Sequence, residues 1–416
     1  MDETEDFESS DSPRTPEQPD GGAEREPDPA LIYQDSGHEG AGTHVLIIGI
    51  SHYAHLLGGS KPRPDIAMGM KQLRSPARSA RELAKWFLDD FDNPDKPLAS
   101  LALVLSESDP AKFSHPKSRQ KGTLPTGTFD EVGTAVAGWI DRASSDSDNQ
   151  VIFFFSGHGV SSGDSVLLLR DFGEPRHNRF NGALNLSDFL TSMMTQVPDY
   201  QLFLIDACRS APSFLRSAPL KQHLGRGCYE MRDLSLRGGR VATQSVHHAS
   251  SIFSRAYGRK DGLTLFTEAL LQAFQGGGAQ SSEQWWVSTL GLQTALAAYI
   301  KRSAKKMRII QQPQIVGSQF TVNKPACIAV PVYITTKPTE GLGKVARAEA
   351  RLNNELAAEY SPNTHGVRSE WFCVLKHFDH QLSMSFPQDS EYNDHLDILK
   401  LGPPCTEFPV SLRKRR

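Results

Sequence analysis

Two short stretches hold the residues able to do chemistry. Ser156-Gly157-His158-Gly159 follows the apolar run Val151–Phe155, and Asp206-Ala207-Cys208-Arg209 follows the apolar run Leu202–Ile205. In an open parallel sheet, reactive groups collect just beyond the carboxyl ends of the strands. If the two runs are parallel neighbours, His158 and Cys208 emerge on one edge of the sheet. A free thiol titrates near ~8.5, so an imidazole beside it helps supply thiolate and later protonates a leaving amine. The backbone N–H groups of Gly159 and Cys208 are placed to face a developing oxyanion. The glycines around His158 allow a sharp turn and leave room for a substrate. A cysteine after an apolar strand is by itself usually a small core residue. The pairing at matching strand ends is what points to catalysis.

The surrounding pattern supplies the elements that must position this pair. His44–Ile50, Leu101–Leu105, Val151–Phe155, Leu202–Ile205 and Val241–Val246 read as strands. Between and after them, apolar residues recur at helical spacing, as in Ala80, Leu83, Ala84 and Phe87, or Val132, Ala135, Val136, Trp139 and Ile140. Strand–helix alternation of this kind predicts an α/β fold: a mostly parallel central sheet with helices on both faces. Further helices are expected around Phe189–Val197, Phe266–Phe274 and Leu292–Ile300.

The chain has 416 residues, 48 acids and 45 bases, for a net charge of -3. Residues 1–40 alone hold 13 acids and two bases, so the rest is net basic. That first stretch, with five prolines, reads as a disordered acidic arm that cannot bury enough apolar surface to order itself. It is expected to solubilise the chain or to dock a partner. The low net charge argues against a dedicated nucleic-acid binder. No apolar run approaches the roughly 18 residues of a membrane span. The five cysteines are scattered, with no Cys-x-x-Cys pair, so no structural zinc or disulfide framework is expected and a reducing cytoplasm fits best. Residues 325–416 read as a small α/β appendage, with strands over Cys327–Thr335 and Trp371–Leu375 and a helix over Gly343–Tyr360. Its role is read as binding or regulation, through an activator or inhibitor protein.

The pair of motifs resembles the dyad of the caspase and metacaspase cysteine peptidases. Val45–Ser51 resembles the family's first strand, and the Leu73…Ala80…Leu83 stretch its first helix. Ala242-Thr243-Gln244-Ser245 is similar to the strand lining the substrate cleft, Gly262–Leu270 to a stretch frequent in bacterial members, and Gln311-Gln312-Pro313-Gln314 to a late signature. The likeness implies a caspase-like peptidase domain over residues 41–324, with a large half (41–210), a basic linker (211–239) and a small half (240–324). It implies a cysteine endopeptidase acting on protein substrates, with Cys208 as nucleophile, His158 as acid/base, Gly159 and Cys208 N–H as oxyanion hole, and Ala242, Thr243 and Gln244 lining the substrate. Asp206 stands where caspases that cut after Asp carry glutamine. A carboxylate at the base of the first pocket pairs with a substrate Arg or Lys. Ser156 matches a second pocket residue of the metacaspase branch, whereas Ser79 stands where that branch has another Asp. Bacterial members often serve regulated proteolysis in stress or anti-phage defence, and a zymogen is in keeping with the family.

In this family the linker is often cut on activation. Arg216, Lys221, Arg226, Arg232, Arg237 and Arg240 would be targets for a protease that prefers basic residues. Calcium activates many metacaspases, but Asp171 and Asp188 alone fall short of the roughly six to eight oxygens calcium wants, so no metal or other cofactor is expected. His247 and His248, adjacent in a strand, point to opposite faces and do not suit joint metal binding, though one is placed to meet substrate. The competing reading is a caspase-fold scaffold or signalling partner whose peptidase stays silent or locked until another protein binds.

Overall fold

The apolar runs become strands because they are buried along most of their length. All eight residues of Thr43–Ile50 and of Gln150–Gly157 are buried. Continuous burial requires cover on both faces. The structure, a computed structural model, describes residues 28–415 apart from 68, 110, 120–121, 163, 176, 210–223, 234, 236–237, 252–255, 257–261 and 282–283. Strands β1 (Leu31–Gln34), β2 (Thr43–Ile50), β3 (Leu98–Ser106), β4 (Gln150–Gly157), β5 (Tyr200–Ala207), β6 (Thr243–His248) and β7 (Gln314–Gly317) form one sheet, in the order β1-β3-β2-β4-β5-β6-β7. The inner five run parallel. The edge strands β1 and β7 are antiparallel to their neighbours.

Side chains alternate between two cores, as a period of two demands. Val45, Ile47, Ile152, Phe154, Leu202 and Leu204 face one core. Helices α1 (Ser75–Asp89), α4 (Leu265–Gln272) and α5 (Thr289–Met307) pack there. Leu46, Ile48, Phe153, Phe155, Phe203 and Ile205 face the other. Helices α2 (Phe129–Ala143) and α3 (Leu186–Met194) pack on that side. The helix starts follow from capping chemistry. Thr128 and Glu131 form a reciprocal capping box on α2, and Asn185, Thr264 and Ser288 cap α3, α4 and α5. Each such cap is worth about 1 kcal/mol.

Three expectations need correcting. Residues 31–34 do not belong to a disordered arm. They pair with β3, Ile32 is fully buried, and Asp28 is held by Arg142 at 2.9 Å. A short apolar stretch beside acids was outweighed by composition. The helix expected over Gly343–Tyr360 is a 3₁₀ turn (Thr339–Lys344) followed by a hairpin of Arg347–Leu352 with Glu355–Tyr360. Its tip, Asn353-Asn354, has φ of 51° and 68°, the left-handed pair a two-residue hairpin turn demands. The appendage is accordingly built almost wholly of strands, in a three-stranded and a four-stranded sheet.

The appendage does not stand apart. Ile328, Val330, Val332 and Ile334 share one continuous core with Phe266 and Leu270 of α4 and Leu296 and Ile300 of α5. Arg302 of α5 is paired with Glu370 and Glu407, and Lys306 meets Glu370 at 2.5 Å.

Candidate active site

The register of two strands builds the site. Ser156 pairs with Asp206, and Gly157 with Ala207, in the parallel β4–β5 ladder. His158 and Cys208 are each one residue past that last matched pair. Neighbouring strands lie about 4.8 Å apart, so the two residues stand level at adjacent strand ends. Glycine is needed on both sides of His158 for space. A Cβ at Gly157 would lie 2.8 Å from the Tyr53 hydroxyl, and one at Gly159 would lie 2.5 Å from the Cys208 carbonyl oxygen. Close approach is the requirement here, since neither residue has a left-handed φ.

The histidine is held by a loop the sequence did not single out. Its backbone N–H donates to the hydroxyl of fully buried Tyr53 at 2.7 Å, and the two rings lie 5.0 Å apart. Its Nε2 lies 2.7 Å from the Lys71 carbonyl oxygen. A carbonyl only accepts, so Nε2 carries the hydrogen and Nδ1 is the nitrogen open to proton exchange. Burial lowers the His158 pKa below the usual imidazole range, with the Lys71 bond opposing the shift. Gln72 ties this loop together. Its side chain accepts the Tyr53 N–H at 2.7 Å and donates to the carbonyls of Tyr53 (3.0 Å) and Leu57 (3.2 Å). A groove of about 800 Å³ opens beside the loop, lined among others by His52, Gln72, Leu73, Arg74 and Gly262.

The half-buried thiol of Cys208 meets a backbone partner. The Ala256 N–H donates to Sγ at 3.3 Å, and the Ala256 carbonyl lies 3.6 Å from Sγ. The stretch after β6 is anchored by Ser250, whose hydroxyl donates to the Ala207 carbonyl at 3.2 Å. Arg209 points away from the thiol, donating to Ser165 at 3.1 Å and Gln314 at 2.7 Å.

Asp206 lies under this edge, 3% exposed. Its Oδ2 accepts the hydroxyls of Ser156 (3.1 Å), Thr267 (3.2 Å) and Thr264, while Oδ1 is buried without a partner. Burial raises its pKa to about 6, against the pull of those three hydroxyls. Ser79 belongs to the same cluster, accepting the Thr264 N–H at 3.1 Å.

Other expected site residues fall elsewhere. Thr243 pairs with Tyr200 and His248 with Ile205, so Ala242, Thr243 and Gln244 start β6 at the far end of the sheet. At roughly 3.3 Å per residue they sit about 20 Å below the level of Asp206. The Gln244 amide is spent on Leu190 and Gln201 there, at 2.8 and 2.9 Å. The likeness located the strand, but a parallel strand turns its other end to the site, and Ser250 and Ala256 are the residues that reach it. His247 and His248 are both buried, and burial pushes each pKa down to about 3, with Arg209 adding to the shift on His248.

In the linker, Arg226 is drawn into structure. Its N–H and carbonyl bond Ala183 and Asn185 at 2.9 Å each, and its guanidinium lies 3.7 Å over the Phe129 ring. A protease needs a freed, extended segment, so this position is not presented for cleavage. Arg232 and Arg240 are exposed, with Arg240 on Asp199 at 2.7 Å. Arg216, Lys221 and Arg237 lie outside the described residues. Asp171 accepts the Phe129 N–H at 3.1 Å, and burial raises its pKa; Asp188 sits in the first turn of α3. Among the described residues no three His, Cys, Asp or Glu converge as metal ligands. No helix among them is long and apolar enough to cross a membrane.

The family model described as the caspase domain of the C14 peptidases matches residues 43–323. An uncharacterised protein, y4kE, of Sinorhizobium fredii is 27% identical over 192 residues, 45% of this chain and 52% of that protein. A probable protease of a Desulfuromonadales bacterium is 28% identical over 173 residues, 40% of this chain and 18% of that protein. The chain thus spans about half of one relative and under a fifth of the other. A solved structure from Geobacter sulfurreducens aligns over 68% of this chain and 94% of its own, at 14% identity and a TM-score of 0.37, too loosely to carry an argument.

Proposed function

The chain belongs to the caspase-domain peptidase family, and from that premise we propose that it is a cysteine endopeptidase cutting proteins after Arg or Lys, with Cys208 as nucleophile and His158 as acid/base. The observation that supports the reading is the β4–β5 register, which brings residues 158 and 208 level at adjacent strand ends, with Nε2 of His158 held by the Lys71 carbonyl.

In this reading Sγ attacks the scissile carbonyl carbon and its proton passes to Nδ1. The C–N bond then breaks, the amine leaves with that proton, and a thioester remains on Cys208. Water attacks the thioester and gives a proton to Nδ1. The C–S bond breaks, the thiol takes the proton back, and the carboxylic acid is released. The N–H groups of Gly159 and Cys208 are assigned to the oxyanion. No step calls on a metal ion, so chelation with EDTA is expected to leave the rate unchanged. The Arg/Lys preference rests on Asp206, a buried carboxylate directly across from Ser156 and one residue below the thiol's strand end.

A second reading, a peptidase locked at rest, is favoured by one contact. Ala256 both donates to and accepts from Sγ, which occupies the nucleophile. A partner acting on the acidic arm or on residues 325–416 would then release it.

Wild type and Cys208→Ala, incubated with fluorogenic peptides ending in Arg, Lys, Asp or norleucine, test both. Cys208-dependent release after Arg and Lys is expected. Release only after Asp refutes the role of Asp206. Silence that is lifted by an added partner protein selects the locked reading.

A further inference from the structure

Asp206 is held unevenly. An ionised carboxylate has two oxygens with about four lone-pair sites. Here every hydroxyl that reaches the group converges on Oδ2, while Oδ1 is buried and has no partner. Two of the three hydroxyls come from the first turn of α4: Thr264, its N-cap, and Thr267, three residues on.

Thr264 is the hub of this arrangement. Its hydroxyl proton goes to Asp206, while the same oxygen accepts the Thr267 N–H at 3.2 Å, as an N-cap oxygen does. Its own N–H donates to Ser79 of α1 at 3.1 Å. One residue thus ties α1, α4 and the end of β5 together at the carboxylate, through its backbone N–H and its hydroxyl.

Resting on the reading of Asp206 as the acceptor of a substrate cation, we propose that Thr264, seconded by Thr267, is the positioning residue that fixes Asp206 by one oxygen and keeps Oδ1 free for the Arg or Lys side chain. Selectivity for a basic residue is then set at the start of α4. Hydrogen bonds to a charged group discriminate more strongly than neutral ones. A rotated carboxylate would lose the substrate cation without disturbing Cys208 or His158.

The test compares KM and kcat for an Arg-ending and a norleucine-ending fluorogenic peptide, using full-length wild type, Thr264→Val, Thr264→Ser and Thr267→Val. Thr264→Val is expected to raise KM for the Arg peptide about tenfold, with kcat within about threefold and the norleucine peptide unaffected. Thr264→Ser, which keeps the hydroxyl, restores KM. Thr267→Val gives a smaller rise in the same sense, and carries the test if Thr264→Val fails to fold. An unchanged KM, or an equal loss on both peptides, overturns the proposal. Wild type that shows no preference for Arg over norleucine overturns the reading of Asp206 beneath it, and the two failures are told apart by the wild-type measurement alone.

Discussion

His158 and Asp206 sit at the ends of neighbouring strands, yet they are held differently. The histidine rests on backbone and ring: the Lys71 carbonyl, the Tyr53 hydroxyl on its N–H, and the Tyr53 ring beside it. The carboxylate rests on side-chain hydroxyls from Ser156, Thr264 and Thr267. The Lys71 carbonyl stays in place whatever residue supplies it, so at Nε2 substitution disturbs the histidine only through the loop, whereas its N–H depends on the Tyr53 side chain. Side-chain hydroxyls can be exchanged one at a time. On the proposed function, the imidazole Nε2 is therefore better protected against substitution than the carboxylate, which rests on side-chain hydroxyls alone.

The sharpest break in this contrast comes from the proposed nucleophile and acid/base. Cys208→Ala or His158→Ala is expected to lower kcat/KM by roughly a thousandfold or more on every peptide, read by steady-state kinetics. Asp206→Asn is expected to lower kcat/KM about a hundredfold for Arg peptides only, leaving norleucine peptides near the wild-type rate. An equal loss on both would show the carboxylate to be structural.

On the histidine side, Tyr53→Phe removes the hydroxyl that accepts the His158 N–H. It is expected to cost about 1–3 kcal/mol of stability and to lower kcat several-fold on all peptides alike. Gln72→Leu, which unties the loop without touching His158, is expected to give a milder form of the same loss. If either variant changed the Arg-to-norleucine ratio, the division between the two sides would fail.

The smallest expected effect is on stability against pH. Burial holds His247 and His248 at about 3 and His44 at about 4, all below the usual value near ~6.5. Their neutral forms are favoured in the fold, so this stability is present above about pH 6.5 and is lost as the pH falls towards 4. Asp206 acts in the opposite sense. Its pKa of about 6 lies above the usual ~3.9 of aspartate, so its share is present below about pH 4 and lost as the pH rises through about 6. His158, also lowered by burial, joins the histidines, and Asp171, also raised, joins Asp206, so the more numerous histidines predict a melting temperature that falls on acidification from pH 7 to 5. A flat or rising profile over that range would show that the buried histidines do not govern it.

The same contrast explains what was legible in the sequence. Cys208, His158, Ser156 and Asp206 announced themselves because side-chain type and spacing repeat across two strand ends. Lys71 could not, since any residue at that position offers the same carbonyl. Tyr53 and Gln72 act through a loop closure that no local pattern marks. Thr264 was visible as a residue within a family-like stretch, but its contact with Asp206 spans 58 positions of chain. The inner strands and the helices were legible from period and bulk. The edge strand Leu31–Gln34 was not, because four residues beside an acidic stretch carry too little pattern. The hairpin over Arg347–Tyr360 is hard to see because its apolar residues also fit a helical spacing, which masks the Asn353-Asn354 turn signal.

The central claim is that Cys208 attacks a carbonyl whose basic side chain is seated on Asp206. It is tested most directly by a peptidyl arginyl chloromethyl ketone, followed by intact-mass and peptide mapping. A single adduct on Cys208, absent from Cys208→Ala and slowed strongly in Asp206→Asn, is the predicted result. Labelling of a different cysteine, or labelling of Cys208 at the same rate in Asp206→Asn, would contradict it.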